Sequence, residues 1–247
     1  MNIKEMSKEI KLGYLFNNHE TIESECKQLK WSPEEYLKTV LERELESRKN
    51  NGIARRTRDA KFPIKKYLED FLKDRYSKEI KEKLTELENL DFIKRKENII
   101  LIGSPGSGKT HLAIGLGIKA CMQGLNVLFT SVPNLIIELK ESMSRNNLTS
   151  YKKKFMTYDL VILDELGYIS FDKTGCEILF NLLSNRTNNG SIIITSNLTF
   201  DRWEEIFKDT MLTGALVDRL AYKAHLLNIS TETSYRLEET QKWSEAI

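Results

Sequence analysis

The chain has 247 residues, 40% of them hydrophobic, which is enough for one full α/β core and a smaller appendage. A formal net charge of +2 is too near neutrality to announce a nucleic-acid partner, so the distribution of charge carries more information than its sum. The three cysteines, Cys26, Cys121 and Cys176, stand far apart with no C-x-x-C pair, which excludes a disulfide framework or a cysteine zinc site and fits a reducing compartment.

The start of the chain, Met1 to Lys8, lacks the apolar stretch of a signal peptide, and no run approaches the length of a membrane span. A soluble cytoplasmic protein without a membrane partner is expected. The first third is rich in charged residues and helix formers and reads as a small all-helical domain. Ser32-Pro33-Glu34-Glu35 combines a Ser N-cap, Pro at the first helical position and Glu three residues after the Ser, predicting a helix from about Pro33 towards Ser47. Tyr36, Val40, Leu41 and Leu45 would share one packing face of it.

Between Arg48 and Lys66 lie eight basic residues against one acid, Asp59, a local charge of +7. Asn50-Asn51-Gly52 is expected to break the helix and Phe62-Pro63 to punctuate the far side, making the segment a connector. It is either a solvated linker or a phosphate-contacting stretch in which Arg55, Arg56, Arg58 and Lys61 touch DNA. The domains expected are 1–61, helical with the basic linker, and 62–247, the core. From Ile64 to about Glu88 the pattern is again helical, with Leu68, Phe71 and Leu72 on one face.

From residue 98 onward strands and helices alternate, the mark of a parallel sheet covered on both faces. Strands are expected near 98–102, 126–130, 159–163, 191–195 and 225–229, and helices at roughly 109–122, 133–144, 174–186 and 212–222.

Gly103-Ser104-Pro105-Gly106-Ser107-Gly108-Lys109-Thr110 is a complete G-x-x-x-x-G-K-[ST] phosphate loop between an apolar strand and a helix. Its glycines let the backbone curl with amides inward, and the first N–H groups of the following helix point at the bound phosphates. Lys109 would reach the β- and γ-phosphates of ATP, and Thr110 would ligate Mg²⁺. His111 is grouped with this nucleotide-binding segment as a helix-surface or packing residue; no second ligand at metal spacing accompanies it.

Asp159-Leu-Val-Ile-Leu163-Asp164-Glu165 is an apolar strand ending in two acids, the arrangement called Walker B. Asp164 should hold the Mg²⁺ shell and Glu165 activate the attacking water, since a carboxylate at the carboxyl end of a parallel strand lies in the ligand crevice. Ser191 to Asn197 is another apolar strand with a polar tip, which places Asn197 to bond the γ-phosphate or the lytic water. Arg219, in Asp218-Arg219-Leu220, is the candidate arginine finger supplied to a neighbouring copy, with Arg186 second. The competing role for Arg219 is an ion pair with Asp218 or Glu205. Arg145, Lys152, Lys153 and Lys154 could line a nucleic-acid groove or be solvated surface. Trp203 and His225 read as packing residues.

Taken together, Gly103 to Ala113, Asp164-Glu-Leu-Gly-Tyr168, Ile192 to Asn197, Val217-Asp-Arg-Leu220 and Ser234-Tyr-Arg-Leu237 closely resemble the IstB-like AAA+ ATPases, helpers of insertion-sequence transposases related to DnaC-type helicase loaders. The similarity extends through almost the whole chain, including Phe62-Pro63 with Leu68 to Phe71. It implies an α/β P-loop NTPase fold of AAA+ type, a five-stranded parallel sheet between helices on a helical N-terminal domain, with little or no separate lid; about 18 residues follow the last expected strand. It also implies ATP-dependent homo-oligomeric assembly on double-stranded DNA, with the DNA deformed and a transposase recruited; the alternative partner is a replicative helicase. By the same resemblance Lys109, Thr110, Asp164, Glu165, Asn197 and Arg219 take the roles above. Arg236 resembles a position near nucleotide in related ATPases and is left unassigned. Ser104 and Ser107 stand where relatives often carry Pro and Thr, a tolerable change in a loop that acts through its backbone.

Overall fold

The structure, a computed structural model, describes residues 1–187, 189–231 and 234–245, without the side chains of residues 236, 239, 242 and 245. The chain divides into two compact units, Met1–Arg55 and Arg56–Ile247.

The first unit contains helices α1 (Ile3–Glu9), α2 (Gly13–Leu29) and most of α3 (Pro33–Asp59). Asn2 and Glu5 form a capping box on α1, and Ser32 and Glu35 form the expected one on α3, with bonds of 2.7 and 3.3 Å. The N-terminus of α2 has no local side-chain cap. Glu44 of α3 supplies one from a distance, accepting N–H bonds from Gly13 (3.1 Å) and Tyr14 (2.8 Å). A negative carboxylate at a helix N-terminus satisfies open donors and opposes the positive end of the helix dipole. This explains a correction to the expected packing face: Val40 and Glu44 are buried, whereas Leu41 and Leu45 are exposed.

A second correction concerns α3 itself, which runs unbroken through Asn50-Asn51-Gly52 to Asp59. Gly in a helix interior costs about 1 kcal/mol relative to Ala and Asn somewhat less, so strong helix formers on both sides outweigh the weak triplet.

The second unit is a five-stranded, wholly parallel sheet in the order β2-β3-β4-β1-β5. After α4 (Lys78–Leu87) and the short α5 (Asp91–Lys94) come β1 (Asn98–Ile102), α6 (Lys109–Met122), β2 (Val127–Ser131), α7 (Val132–Ser144), α8 (Leu148–Phe155), β3 (Leu160–Leu166), α9 (Lys173–Arg186), β4 (Ser191–Ser196), α10 (Glu204–Phe207), α11 (Thr210–Ala221), β5 (Ala224–Asn228) and α12 (Tyr235–Glu245). The sheet has a core on each face. One packs α4, α5 and α6 against Ile99, Leu101 and Ile162; the other packs α7, α9 and α11 against Ile100, Val161 and Ile194. Strands covered on both sides are buried at every position and read as near-continuous apolar runs, which is why Ile99–Ile102 shows no alternation.

The stretch after Pro63 is not the expected helix. It forms two 3₁₀ turns, Leu68–Asp70 and Lys73–Arg75, and the helix starts only at Lys78, capped by Ser77. Leu68 and Phe71 are buried but Leu72 is exposed. The reason lies in α6: a Cβ on Gly115 would come within 2.7 Å of Leu68, and one on Gly117 within 2.9 Å of Phe62. The segment follows the bare backbone of α6 closely, a packing gain that local helix propensity cannot match.

Candidate active site

Residues 103–108 leave β1 and enter α6 at Lys109. Gly106 and Gly108 have φ of +78° and +88°, left-handed values that side-chain-bearing residues oppose. Gly108 is the N-cap of α6 and brings no side chain to cap it, so the first helical N–H groups are left for an anion. Lys109, only 7% exposed, donates its ammonium to the carbonyls of Gly103 (2.7 Å) and Ser104 (2.8 Å). The loop carbonyls are thereby drawn to the ammonium, the arrangement in which its amides line an anion-binding concavity.

The Thr110 hydroxyl donates to Asp164 at 2.9 Å, so the loop and the acid strand are in direct contact across the intervening β4. Asp164 is buried and Glu165 is exposed. Glu165 has φ of +64° and lies in an irregularity of the β3–β4 pairing. At the tip of β4, Asn197 lies against the turn after the acids: a Cβ on Gly167 would fall 2.5 Å from Asn197 Oδ1. That oxygen is buried without a hydrogen-bond partner. The strand tip therefore holds an open acceptor beside the acid pair.

Aromatic residues brace the loop, and of these Tyr76 was not assigned from the sequence. Tyr76 donates its hydroxyl to Ser107 O at 2.6 Å and stacks on Phe71, whose ring meets His111 edge-on. His111 Nε2 lies 2.8 Å from Tyr67 O, so His111 ties α6 to the segment that precedes β1. The start of α12 reaches the loop from the other side, where Tyr235 N–H donates to Gly106 O at 3.2 Å and Arg75 pairs with Glu238 at 2.6 Å. Apart from the Tyr76–Phe71 stack, these contacts were invisible locally because each joins residues more than thirty positions apart. The Arg236 side chain falls outside the described ones.

The two candidate arginine fingers separate sharply. Arg186 is fully buried and donates to the carbonyls of Phe155 (3.1 Å), Tyr158 (2.8 Å) and Ser191 (3.2 Å). Burial pulls its guanidinium down to about 10, partly offset by the charge of Asp159, so it stays protonated as an internal strut. A role reaching another copy is ruled out for it. Arg219 is exposed, with its guanidinium 4.9 Å from the Phe180 ring centroid; Glu205 is paired with Arg202 instead. Asn98 Nδ2 donates to Leu220 O, which places Arg219 beside the start of β1, whereas the phosphate loop follows its end. About 16 Å of strand lies between, beyond reach of the chain's own loop.

The basic candidates also divide. Arg56 Nε donates to Cys121 O at 3.0 Å, while Arg55 and Arg58 are exposed. Arg145 pairs with Glu141, and Lys152, Lys153 and Lys154 form the last turn of α8. Lys61, 3.5 Å from Glu138, lines a cleft of about 490 Å³ shared with Phe129, Ser131, Asn134, Asp164 and Glu165.

The family described as IstB-like ATP binding protein matches residues 5–243. The chain belongs to this family. A protein named as an insertion sequence IS21 ATP-binding protein, from Pseudomonas aeruginosa, is 37% identical over 94% of this chain and 88% of its own length. An IS5376 ATP-binding protein from Geobacillus stearothermophilus is 34% identical over 83% of this chain and 81% of its own. Among solved structures, the DnaC helicase loader matches with a TM-score of 0.54 at 21% identity, covering 62% of this chain and 89% of that one. AMPPCP-bound DnaA from Aquifex aeolicus matches with a TM-score of 0.59 at 19% identity, covering 75% of this chain and 56% of that one.

This IstB-like protein is an ATPase of the AAA+ P-loop class. Among the described residues no group of three or more His, Cys, Asp or Glu side chains is placed to hold a metal ion. One hydroxyl and one carboxylate, Thr110 and Asp164, are nevertheless donors of the kind that would suit a magnesium ion brought in with a nucleotide. Among the described residues no helix is long and apolar enough to cross a membrane.

Proposed function

We propose that this IstB-like ATPase is the DNA-bound helper of an insertion-sequence transposase, acting in the cytoplasm as a homo-oligomer on double-stranded DNA. ATP joins neighbouring copies, the assembly deforms DNA and recruits the transposase, and hydrolysis dissolves it. Membership of the family and the likeness to an IS21 ATP-binding protein along 94% of the chain support the transposition role. The observation that carries assembly is the place of Arg219: exposed, and at the opposite end of β1 from its own phosphate loop.

In the chemistry we infer, Lys109 and the amides at the start of α6 hold the phosphates, and Thr110 and Asp164 hold Mg²⁺. When bound, the magnesium ion neutralises charge on the phosphate oxygens. Glu165 takes the proton of the attacking water, Asn197 orients that water or the γ-phosphate, and Arg219 of an adjoining copy neutralises charge as the phosphoryl group transfers. Residues 1–61 contribute to DNA or partner binding and residues 62–247 form the motor. Arg55, Arg58, Lys61 and the α8 lysines are the phosphate contacts in this reading, so binding is largely independent of DNA sequence and weakened by salt.

The test is ATP turnover with duplex DNA, with single-stranded DNA and with neither, alongside electron microscopy of the ATP-loaded mixture. Stimulation by duplex and nucleotide-dependent assemblies are expected, with capture of the partner transposase in a pull-down. Capture of a hexameric replicative helicase instead would move the protein to the helicase loaders. Turnover indifferent to DNA would sink the proposal.

A further inference from the structure

Thr195 has no role in the account above, yet it touches both acids. It is 2% exposed, in β4 between the strand of the phosphate loop and the strand of the acids. Its hydroxyl donates to Asp164 Oδ1 at 2.5 Å and accepts the main-chain N–H of Glu165 at 3.1 Å. The β3–β4 register explains why it can do both. Leu163 pairs with Ile194 and Leu166 with Ser196, so Asp164 and Glu165 together stand opposite Thr195 alone. This is a β-bulge, with an extra residue that the ladder leaves unpaired.

A bulge changes the phase of the pleat. Residues on a regular strand alternate between faces, but here Asp164 turns inward to Thr110 while Glu165 takes φ of +64° and is exposed. A left-handed conformation in a residue with a long side chain is unfavourable and persists only where neighbours hold it. The N–H that the bulge removes from the ladder is the one that Thr195 accepts. The same hydroxyl hydrogen reaches the acid before it, so one side chain sets the direction of both carboxylates.

We propose that Thr195 is a positioning residue for ATP hydrolysis: its hydroxyl locks the bulge that aims Asp164 at Thr110 and Glu165 at the water to be activated. This rests on the reading of Glu165 as the base. Valine keeps the shape and β-branching of threonine and removes the hydroxyl, so Thr195→Val isolates the two bonds. Misplacement of a reacting group by about an ångström costs on the order of 10²-fold in rate.

The experiment measures kcat and the affinity for a non-hydrolysable ATP analogue in the full chain for Thr195→Val, Thr195→Ser, Glu165→Gln and the double variant Glu165→Gln/Thr195→Val. We expect kcat to fall roughly 10- to 100-fold in Thr195→Val, with analogue affinity changed by less than about threefold, because the phosphate loop and Lys109 are untouched. Thr195→Ser should recover most of the rate. On the Glu165→Gln background Thr195→Val should cause a smaller further loss, since only Asp164 is then left to position. If Glu165→Gln is slowed while Thr195→Val turns over at the wild-type rate, or loses rate equally on both backgrounds, the proposal is overturned. Wild-type turnover in Glu165→Gln would refute the base assignment instead. Should Thr195→Val fail to fold, Thr195→Ala compared with Thr195→Ser isolates the hydroxyl with the same readouts.

Discussion

Arg56 donates its Nε–H to the main-chain carbonyl of Cys121, 3.0 Å away, at the C-terminal end of the helix that begins at the phosphate loop. A cation there adds a second partner to a carbonyl that already accepts the Gly124 N–H, and it answers the negative end of the helix dipole. The basic run is therefore not one functional unit. Arg56→Ala should lower stability by about 1 kcal/mol, a shift of roughly 2–4 °C in Tm for a chain of this size. Replacing exposed Arg55 and Arg58 by Ala should leave Tm nearly unchanged and weaken duplex binding, flattening the slope of log K against log salt by about 1.8. Calorimetry and a salt titration of DNA binding check the split; equal Tm losses in both variants would contradict it.

The contact between Thr110 and Asp164 implies that nucleotide binding and hydrolysis can be separated. Lys109→Ala removes the ammonium that organises the loop, and ATP binding should be lost in a titration. Glu165→Gln leaves the loop intact, so it should bind ATP normally while kcat falls by about 10²–10⁴. Assemblies trapped on DNA with ATP are the expected consequence. Normal ATP affinity in Lys109→Ala would remove the loop from its assigned role.

Arg219 can be tested by mixing. Arg219→Ala should bind ATP and lose about 10³–10⁵ in rate. Mixed with Glu165→Gln subunits, it should regain turnover, because some junctions then combine an intact Glu165 with an intact Arg219. Two inactive variants that stay inactive together would return Arg219 to a surface residue lying over Phe180.

Acid should loosen the first unit through Glu44. Burial pushes this carboxyl up, but the bonds from Arg48 and from the amides of Tyr14 and Leu15, with the Arg48 charge, outweigh it and hold it below the usual range. A carboxyl that titrates lower when folded stabilises fully above its unfolded value, near 4.3, and loses that stabilisation as pH falls through the folded value. Hydrogen exchange at Tyr14 and Leu15, corrected for intrinsic rates, should show protection falling as the pH drops below about 4.3. Glu44→Gln should reduce protection at neutral pH and flatten that acid dependence; an unchanged profile would rule out Glu44 as the cap.

Legibility in the sequence followed the range of the interactions involved. The phosphate loop, the acid pair and the apolar strands are local patterns, and Asn98–Ile102 and Lys109–Met122 lie where periodicity put them. The helix expected after Ile64 failed because Leu68 and Phe62 answer to Gly115 and Gly117, about fifty residues away. Leu41 and Leu45 were misplaced for the same kind of reason: Glu44 faces inward to cap a helix that begins at Gly13. Arg186 looked like a free cation in the chain and is an internal strut in the fold.

By itself, then, the order of residues determined that the chain carries a phosphate loop, because such a loop works through contiguous backbone and needs only its own glycines, lysine and threonine. Tertiary structure decided which charges are available to anything outside the molecule. Burial and hydrogen bonding remove Arg186 from the surface, engage Arg56 with the end of a helix, set Arg219 at the far end of the sheet, and bring Thr195 opposite the two acids. Each of these outcomes depends on partners brought together by strand order and helix packing, which no local spacing encodes.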